Sequence, residues 1–268
     1  MRLTARGATD VGRVREENED GFLVDERVGL YAVADGMGGH RAGEVASATA
    51  LEALRASVAA GSAVRDAVLA ANAAVHEKAA GDAELAGMGT TLTAATLAAG
   101  GTLLVAHVGD SRAYVLRDGE LRQVTVDHSL VEELVREGRL TPEQATVHPH
   151  RSIITRALGV DAEVEVDLYS VELRPGDRVL LCSDGLTSMV RPDGVATVLR
   201  REDDAERAAR ALVDTANAAG GEDNITVVVV DVEDGDDPRR WQHDLPGSRS
   251  SPRPPRPPPR RLLLSAGA

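Results

Sequence analysis

Apolar and polar positions along this chain alternate between two periods, and the changes of period mark its elements. Residues 2–8, 21–25 and 29–34 read as short strands, the first two flanking a polar loop that holds Arg13, Arg15, Glu19 and Asp20. Residues 41–60 are rich in Ala, Leu and Glu, and Val45, Thr49, Glu52 or Ala53, and Ala56 recur at helical spacing. Gly61-Ser62 ends that helix and offers an N-cap to a second one, over 63–80, with Val64, Val68, Ala71 and Val75 along one face. Four strands follow at 91–97, 102–108, 112–117 and 120–124, with Gly100-Gly101 and Asp118-Gly119 as turns, and predict an antiparallel meander. Their continuous apolar runs call for cover on both faces.

Ser129 caps a short helix over 129–138, with Glu132 in the capping-box position, and Thr141-Pro142-Glu143-Gln144 starts another turn. His148-Pro149-His150-Arg151 reads as a polar surface loop, or as part of a flap that contributes to substrate choice. Strands at 164–171 and 178–183 are joined by the turn Arg174-Pro175-Gly176-Asp177. Helices fit 192–200 and 205–219, the second ended by Gly220-Gly221, and a strand at 225–232 closes the body. Strands and helices grouped in this way predict an α+β fold of stacked antiparallel sheets with helices outside, in place of βαβ units.

Composition narrows the function. The chain has 268 residues, enough for a sizeable core, but aromatics are only 2%, so a base-stacking platform is unsupported. The net charge of −13 is uneven: from Asp236 onward seven Arg face three Asp, a balance of +4 that leaves the body at −17. An acidic body argues against a nucleic-acid surface. The segment from Glu233 on is charged and then Pro/Arg-rich, and it is expected to be disordered, with polyproline-II character at 252–259. Trp241 lies in it, in a solvated tail or a docking motif. The single cysteine, Cys182, rules out an internal disulfide and reads as a core thiol in a reducing compartment. No apolar leader is evident, and Leu262-Leu263-Leu264 is far short of the roughly 20 residues that span a bilayer, so the expected location is the cytoplasm.

Acidic residues then fall where strands end. Asp35 is followed by Gly36, Gly38 and Gly39, which let the backbone approach something small. The pattern of a strand-like run beside an Asp and a small or polar residue returns at Asp110-Ser111, at Asp184-Gly185 and, reversed, at Asp223-Asn224, with Asn18-Glu19-Asp20 near the start. Converging carboxylates are costly to desolvate unless cations pair with them. No Cys/His set has zinc spacing, and oxygen ligands favour Mg²⁺ or Mn²⁺. Asp35 and Asp184, with Asp20 and Asp223, could hold two ions with a water between them, and such ions activate water and stabilise charge on a phosphoryl group. Hydrolysis of a phosphate ester is the reaction this chemistry suggests, with an Arg of the N-terminal loop on the phosphate.

The ordered motifs RVREENED, VADGMGGHRAGEVAS, GMGTTLTAA, VGDSRAYVLRDG, ITRALG, LLCSDGLTSMV and GGEDNITVVVV closely resemble the metal-dependent protein phosphatases of type 2C, in their compact bacterial form. The resemblance covers residues 4–231 and implies two central antiparallel sheets flanked by helices on both sides, a four-layer sandwich with a two-metal site at one end. It implies a catalytic domain over 1–233, with a flap at about 129–158, and a tail over 234–268. By motif, Asp35 matches the carboxylate that bridges both metals and Gly36 the carbonyl donor. Asp184 and Asp223 match later ligands, Asp20 the acid behind the first metal, and Glu19 one that acts through water. Arg15 matches the phosphate-binding arginine, and Asp110 the carboxylate that holds a looser third metal together with Asp184. Where the animal pattern has a His after the Asp-Gly pair, this chain has Met37, so the expected general acid is a metal-bound water, with His40 structural.

The implied substrates are phosphoserine and phosphothreonine in proteins, in opposition to serine/threonine kinases. The expected protein is a monomer with no nucleic-acid or membrane partner and a tail dispensable for small substrates. Competing readings are a phosphatase for a small regulatory partner such as an anti-sigma-factor antagonist, a phosphoprotein-binding pseudophosphatase and a metal-dependent nuclease. The pseudophosphatase is disfavoured because no metal-site Asp is replaced.

Overall fold

The strands of this protein carry apolar residues on both faces, and that decides the layering. The computed structural model describes residues 1–38, 41–98 and 100–234. In order they form β1 (Arg2–Asp10), β2 (Asp20–Asp25), β3 (Leu30–Met37), α1 (Arg41–Ala59), α2 (Val64–Gly81), β4 (Gly89–Thr90), β5 (Leu92–Ala98), β6 (Thr102–Val108), β7 (Arg112–Arg117) and β8 (Glu120–Gln123). There follow α3 (Leu130–Arg136), α4 (Pro142–Thr146), β9 (Asp167–Glu172), β10 (Arg178–Cys182), α5 (Asp184–Thr187), α6 (Pro192–Arg201), α7 (Ala205–Ala218) and β11 (Ile225–Glu233). One sheet runs β1-β11-β10-β7-β8; the other runs β2-β3-β5-β6-β9 with β4 on β3. Every pairing is antiparallel.

On β3, Leu30, Ala32 and Ala34 face α1 and α2, whereas Tyr31 and Val33 face the other sheet. On β10 and β11, Leu180, Cys182, Val227 and Val229 face α6 and α7, and Val179, Leu181, Val228 and Val230 face inward. Three apolar layers thus separate four layers of structure, and the predicted sandwich is observed.

Five local expectations are corrected. The strands from β5 to β8 are two hairpins in different sheets, because the chain crosses at Gly109-Asp110-Ser111. Gly109 has φ +110°, and a Cβ there would stand 2.5 Å from the Thr91 side chain, so only glycine makes the crossing. β9 and β10 likewise lie in different sheets. β3 does not stop at Asp35 but continues through Gly36 and Met37, which pair with Thr90 and Gly89 of β4. The buried face of α1 is Ala42, Gly43, Ala46, Ser47, Ala50, Leu51 and Leu54, while Glu52 and Ala56 are exposed. Alanine on every side of a helix gives periodicity little to choose by, and close packing on β3 selects the small residues. The N-cap of α2 is Ala63, without a side-chain cap, so Ser62 does not serve.

Buried Asn72 of α2 ties down the loop that follows the flap. Its Nδ2 donates to the Asp161 and Ala162 carbonyls, both at 3.1 Å, and its Oδ1 accepts from the Gly159 N–H at 2.8 Å. Asn72→Ala should therefore cost about 2–3 kcal/mol, because it strands buried backbone groups. Chemical denaturation checks this, and an unchanged midpoint would mean the loop finds other partners.

Candidate metal and phosphate site

The two sheets bring the acidic strand ends to one rim. Asp20 and Asp35 face each other directly across β2 and β3. Asp110 sits at the crossing between β6 and β7, Asp184 opens α5 straight after β10, and Asp223 precedes β11. Asp35, Asp110, Asp184 and Asp223 line one cleft of about 570 Å³ with Glu19, Gly36 and Arg15. Asp20 stands behind Asp35. Every site residue expected from sequence is therefore in or against this cleft, except that His40 lies outside the described residues, as does the tail from residue 235. Met37, Ser152 and Ile154 complete one wall, the last two contributed by the flap segment.

The backbone is held by residues to which the sequence analysis assigned no role. The Asp35 carbonyl accepts from the Thr91 N–H and the Thr90 hydroxyl, both at 2.9 Å, and the Asp35 N–H donates to Thr91 Oγ1 at 3.0 Å. Gly36 must be glycine, since a Cβ would stand 2.0 Å from the Gly43 carbonyl oxygen. The Gly43 N–H, in the first turn of α1, donates to the Glu19 carboxylate. The Ser183 hydroxyl donates to Asp20 Oδ2 at 2.7 Å and accepts from the Thr226 N–H at 3.0 Å.

Asn224 is the largest omission. Its Nδ2 donates to the Val11 and Glu17 carbonyls at 2.9 Å, and its Oδ1 accepts from the Glu19 N–H at 2.8 Å. One buried amide thus fixes the whole loop that carries Arg15 and Glu19. The signal was its place next to Asp223, where an amide can pair with backbone on both sides. Asn224→Ala should lower kcat/KM on an aryl phosphate by roughly 10–100-fold, because a small displacement of a positioned group is costly. Steady-state kinetics beside the Asn224→Asp protein would test it, and full activity in both would make the loop self-supporting.

The electrostatics of the cleft are strained. Removal from water, reinforced by Asp184 and Asp223, pushes Asp20 up to about 8, and removal from water with Asp184 and Asp127 does the same to Asp110. Asp35 is raised by burial and by Asp20 and Asp184, and Asp184 by burial and Asp223. Arg15 meets this field with one ion pair, Nη2 donating to Asp223 Oδ2 at 2.7 Å. Among the described residues, no three acidic or histidine side chains already close on one point. The Asp184 and Asp35 side chains do meet in a hydrogen bond, which lowers Asp184 against the effect of its burial. Two buried oxygens, Asp20 Oδ1 and Asp110 Oδ1, have no hydrogen-bond partner. Unpartnered carboxylate oxygens in an all-oxygen set fit hard divalent cations. Cys182, in contrast, is buried in the core with its thiol pushed up to about 12 by burial, and it takes no part in the cleft.

This arrangement has known counterparts. The family model described as protein phosphatase 2C matches residues 13–226. The chain belongs to the protein phosphatase 2C family. The chain is 48% identical over 248 residues to the serine/threonine protein phosphatase PstP of Mycobacterium tuberculosis, covering 88% of this chain and 46% of PstP. It thus spans about half the length of that relative. It is 42% identical over 242 residues to the serine/threonine phosphatase stp of Listeria monocytogenes, covering 85% of this chain and 96% of that protein. The crystal structure of the catalytic domain of PstP in complex with two manganese ions superposes with a TM-score of 0.79 at 43% identity, covering 87% of this chain and 99% of that one. For this family member the sandwich expected from sequence and the fold of its relatives agree.

Proposed function

We propose that this type 2C family member hydrolyses phosphoserine and phosphothreonine in proteins with Mn²⁺ or Mg²⁺, in opposition to serine/threonine protein kinases. The observation that carries the reading is the convergence of Asp35, Asp110, Asp184 and Asp223 on one cleft, with unpartnered oxygens on Asp20 and Asp110. Asp35, Asp184, Asp223, Asp20 and the Gly36 carbonyl would hold two ions, with Glu19 acting through water and Asp110 available to a third. When bound, such ions supply an activated water and neutralise charge on the phosphoryl oxygens.

The chain's own groups do the rest. Among the described residues, Arg15 is the only cation lining the cleft. Its guanidinium can exchange Asp223 for two phosphoryl oxygens and so orient the ester. Asp35 and Asp184 present anionic oxygen at the cleft floor, Ser183 fixes Asp20, and Asn224 fixes the Arg15 loop. We take residues 1–233 as the catalytic unit and 129–158 as its flap. In the described residues no helix is long and apolar enough to cross a membrane, and we place the enzyme in the cytoplasm as a monomer.

Phosphate release from a phosphothreonine peptide, measured with Mn²⁺ and again with excess EDTA, tests the reading. Turnover that depends on the cation is expected. A folded, cation-binding protein that releases no phosphate would favour phosphoprotein binding instead.

A further inference from the structure

A second cavity, of about 180 Å³, opens beside the catalytic cleft and shares Met37 and Ile154 with it. A chain whose phosphorylated residue sits in the cleft therefore has this cavity within reach of a neighbouring side chain. Its apolar surface comes from Met37, Val160 and Val164, and Val160 is 52% exposed. The rim is acidic: Asp161, Glu163 and Glu165.

The cation on this rim is Arg156, and it is already committed. Its Nη1 donates to Asp167 Oδ1 at 2.8 Å, and its Nη2 lies 3.5 Å from Glu165. Among the described residues no basic side chain pairs with Asp161 or Glu163. The wall that carries them is nonetheless fixed, since Asn72 holds the carbonyls of Asp161 and Ala162 and the N–H of Gly159. The result is an anchored slot of mixed lining, with an apolar wall and two uncompensated carboxylates at its rim, next to a site for a phosphate.

We propose that this cavity is a subsite for a basic side chain, Lys or Arg, near the phosphorylated residue of the substrate. The aliphatic stem lies over Met37, Val160 and Val164 while the charged head meets Asp161 and Glu163 in solvent, the arrangement long cationic side chains adopt at an apolar edge. An acidic neighbour would meet like charge there, so the subsite selects by repulsion as well as by attraction. The proposal rests on the phosphatase reading and adds the chemistry of the substrate's flank to it.

The test is a positional scan. A phosphothreonine peptide with Ala flanks is compared with versions carrying one Lys or one Glu at each of three positions on either side, and p-nitrophenyl phosphate serves as a substrate without flanks. For exposed ion pairs, Lys at the productive position should raise kcat/KM by about 3–10-fold over Ala, and Glu there should lower it. In the Asp161→Asn, Glu163→Gln double variant the Lys gain should shrink to under about twofold, with p-nitrophenyl phosphate turned over as in the wild type. The Glu163→Lys variant should reverse the preference toward Glu. No gain from Lys at any position, or a gain that survives in the double variant, would overturn the subsite while leaving the phosphatase reading standing. Absence of cation-dependent p-nitrophenyl phosphate hydrolysis by the wild type would instead remove the phosphatase reading, and the subsite with it.

Discussion

Replacing Asp35 by Asn should abolish cation-dependent phosphate release, by about 10³-fold or more, and should also raise the melting temperature of the metal-free protein. The two effects have one cause. Asp35 is directly opposite Asp20 across β2 and β3, and Asp184 is a further source of repulsion on it. Like charges opposite each other on a sheet destabilise it, and burial deepens the cost. Asn keeps the shape and removes the charge, so the metal-free fold should gain roughly 1–3 kcal/mol. The same change takes away the anionic oxygen that the proposed ions would share. Turnover in Mn²⁺ and calorimetry in EDTA, on the same preparation, check both halves. Activity within tenfold of the wild type would sink the assignment of Asp35, and a lower metal-free melting temperature would sink the argument from repulsion.

That repulsion also explains which parts of the site the sequence revealed. Carboxylates at strand ends are conspicuous because an acid next to an apolar run has few purely structural uses, and those expected from this pattern line one cleft, with Asp20 alone set behind it opposite Asp35. The supporting groups were less visible. Ser183 and Thr91 are ordinary residues in strand-like surroundings, and their roles come from partners 163 and 56 positions away. The layers were legible for a related reason: strands such as β11, apolar at every position from Ile225 to Val230 but Thr226, must be covered on both faces. The sheet to which each hairpin belongs was not legible. The Gly109 crossing separates β6 from β7, yet its positive φ is shared by Gly100, Gly101 and Gly119 in the true hairpin turns, so nothing local to the sequence marks the change of sheet. The face of α1 was lost to its alanines.

The metal-free protein should also lose stability as pH rises from 6.5 to 8.5, the reverse of what paired carboxylates produce. Asp20 and Asp110 are both raised to about 8 by burial and neighbouring acids. Above the ordinary carboxylate range their unfolded forms have released the proton while the folded forms still hold it. The folded state then binds more protons than the unfolded state, and stability falls as pH climbs toward 8. The histidines do not disguise the slope in this window. His107, held down to about 3 by burial, and His128, lowered by burial and Arg156, are neutral when folded, so their contribution changes mainly below pH 6.5. Cys182, raised by burial, adds its own loss only above about 8.5. Two carboxylates titrating near 8 give a decrease of roughly 2–4 kcal/mol across the window. That corresponds to about 5–10 °C in melting temperature for a domain of this size. Saturating Mn²⁺ should invert the slope, because cation binding requires the deprotonated carboxylates and so strengthens with pH. Thermal melts in EDTA and in Mn²⁺ at 6.5, 7.5 and 8.5 decide it. A flat metal-free profile would mean that these carboxylates are already ionised at 6.5 and that solvent or Arg15 compensates them. A falling profile that Mn²⁺ inverts would tie the cost of gathering these acids directly to the ions they are gathered for.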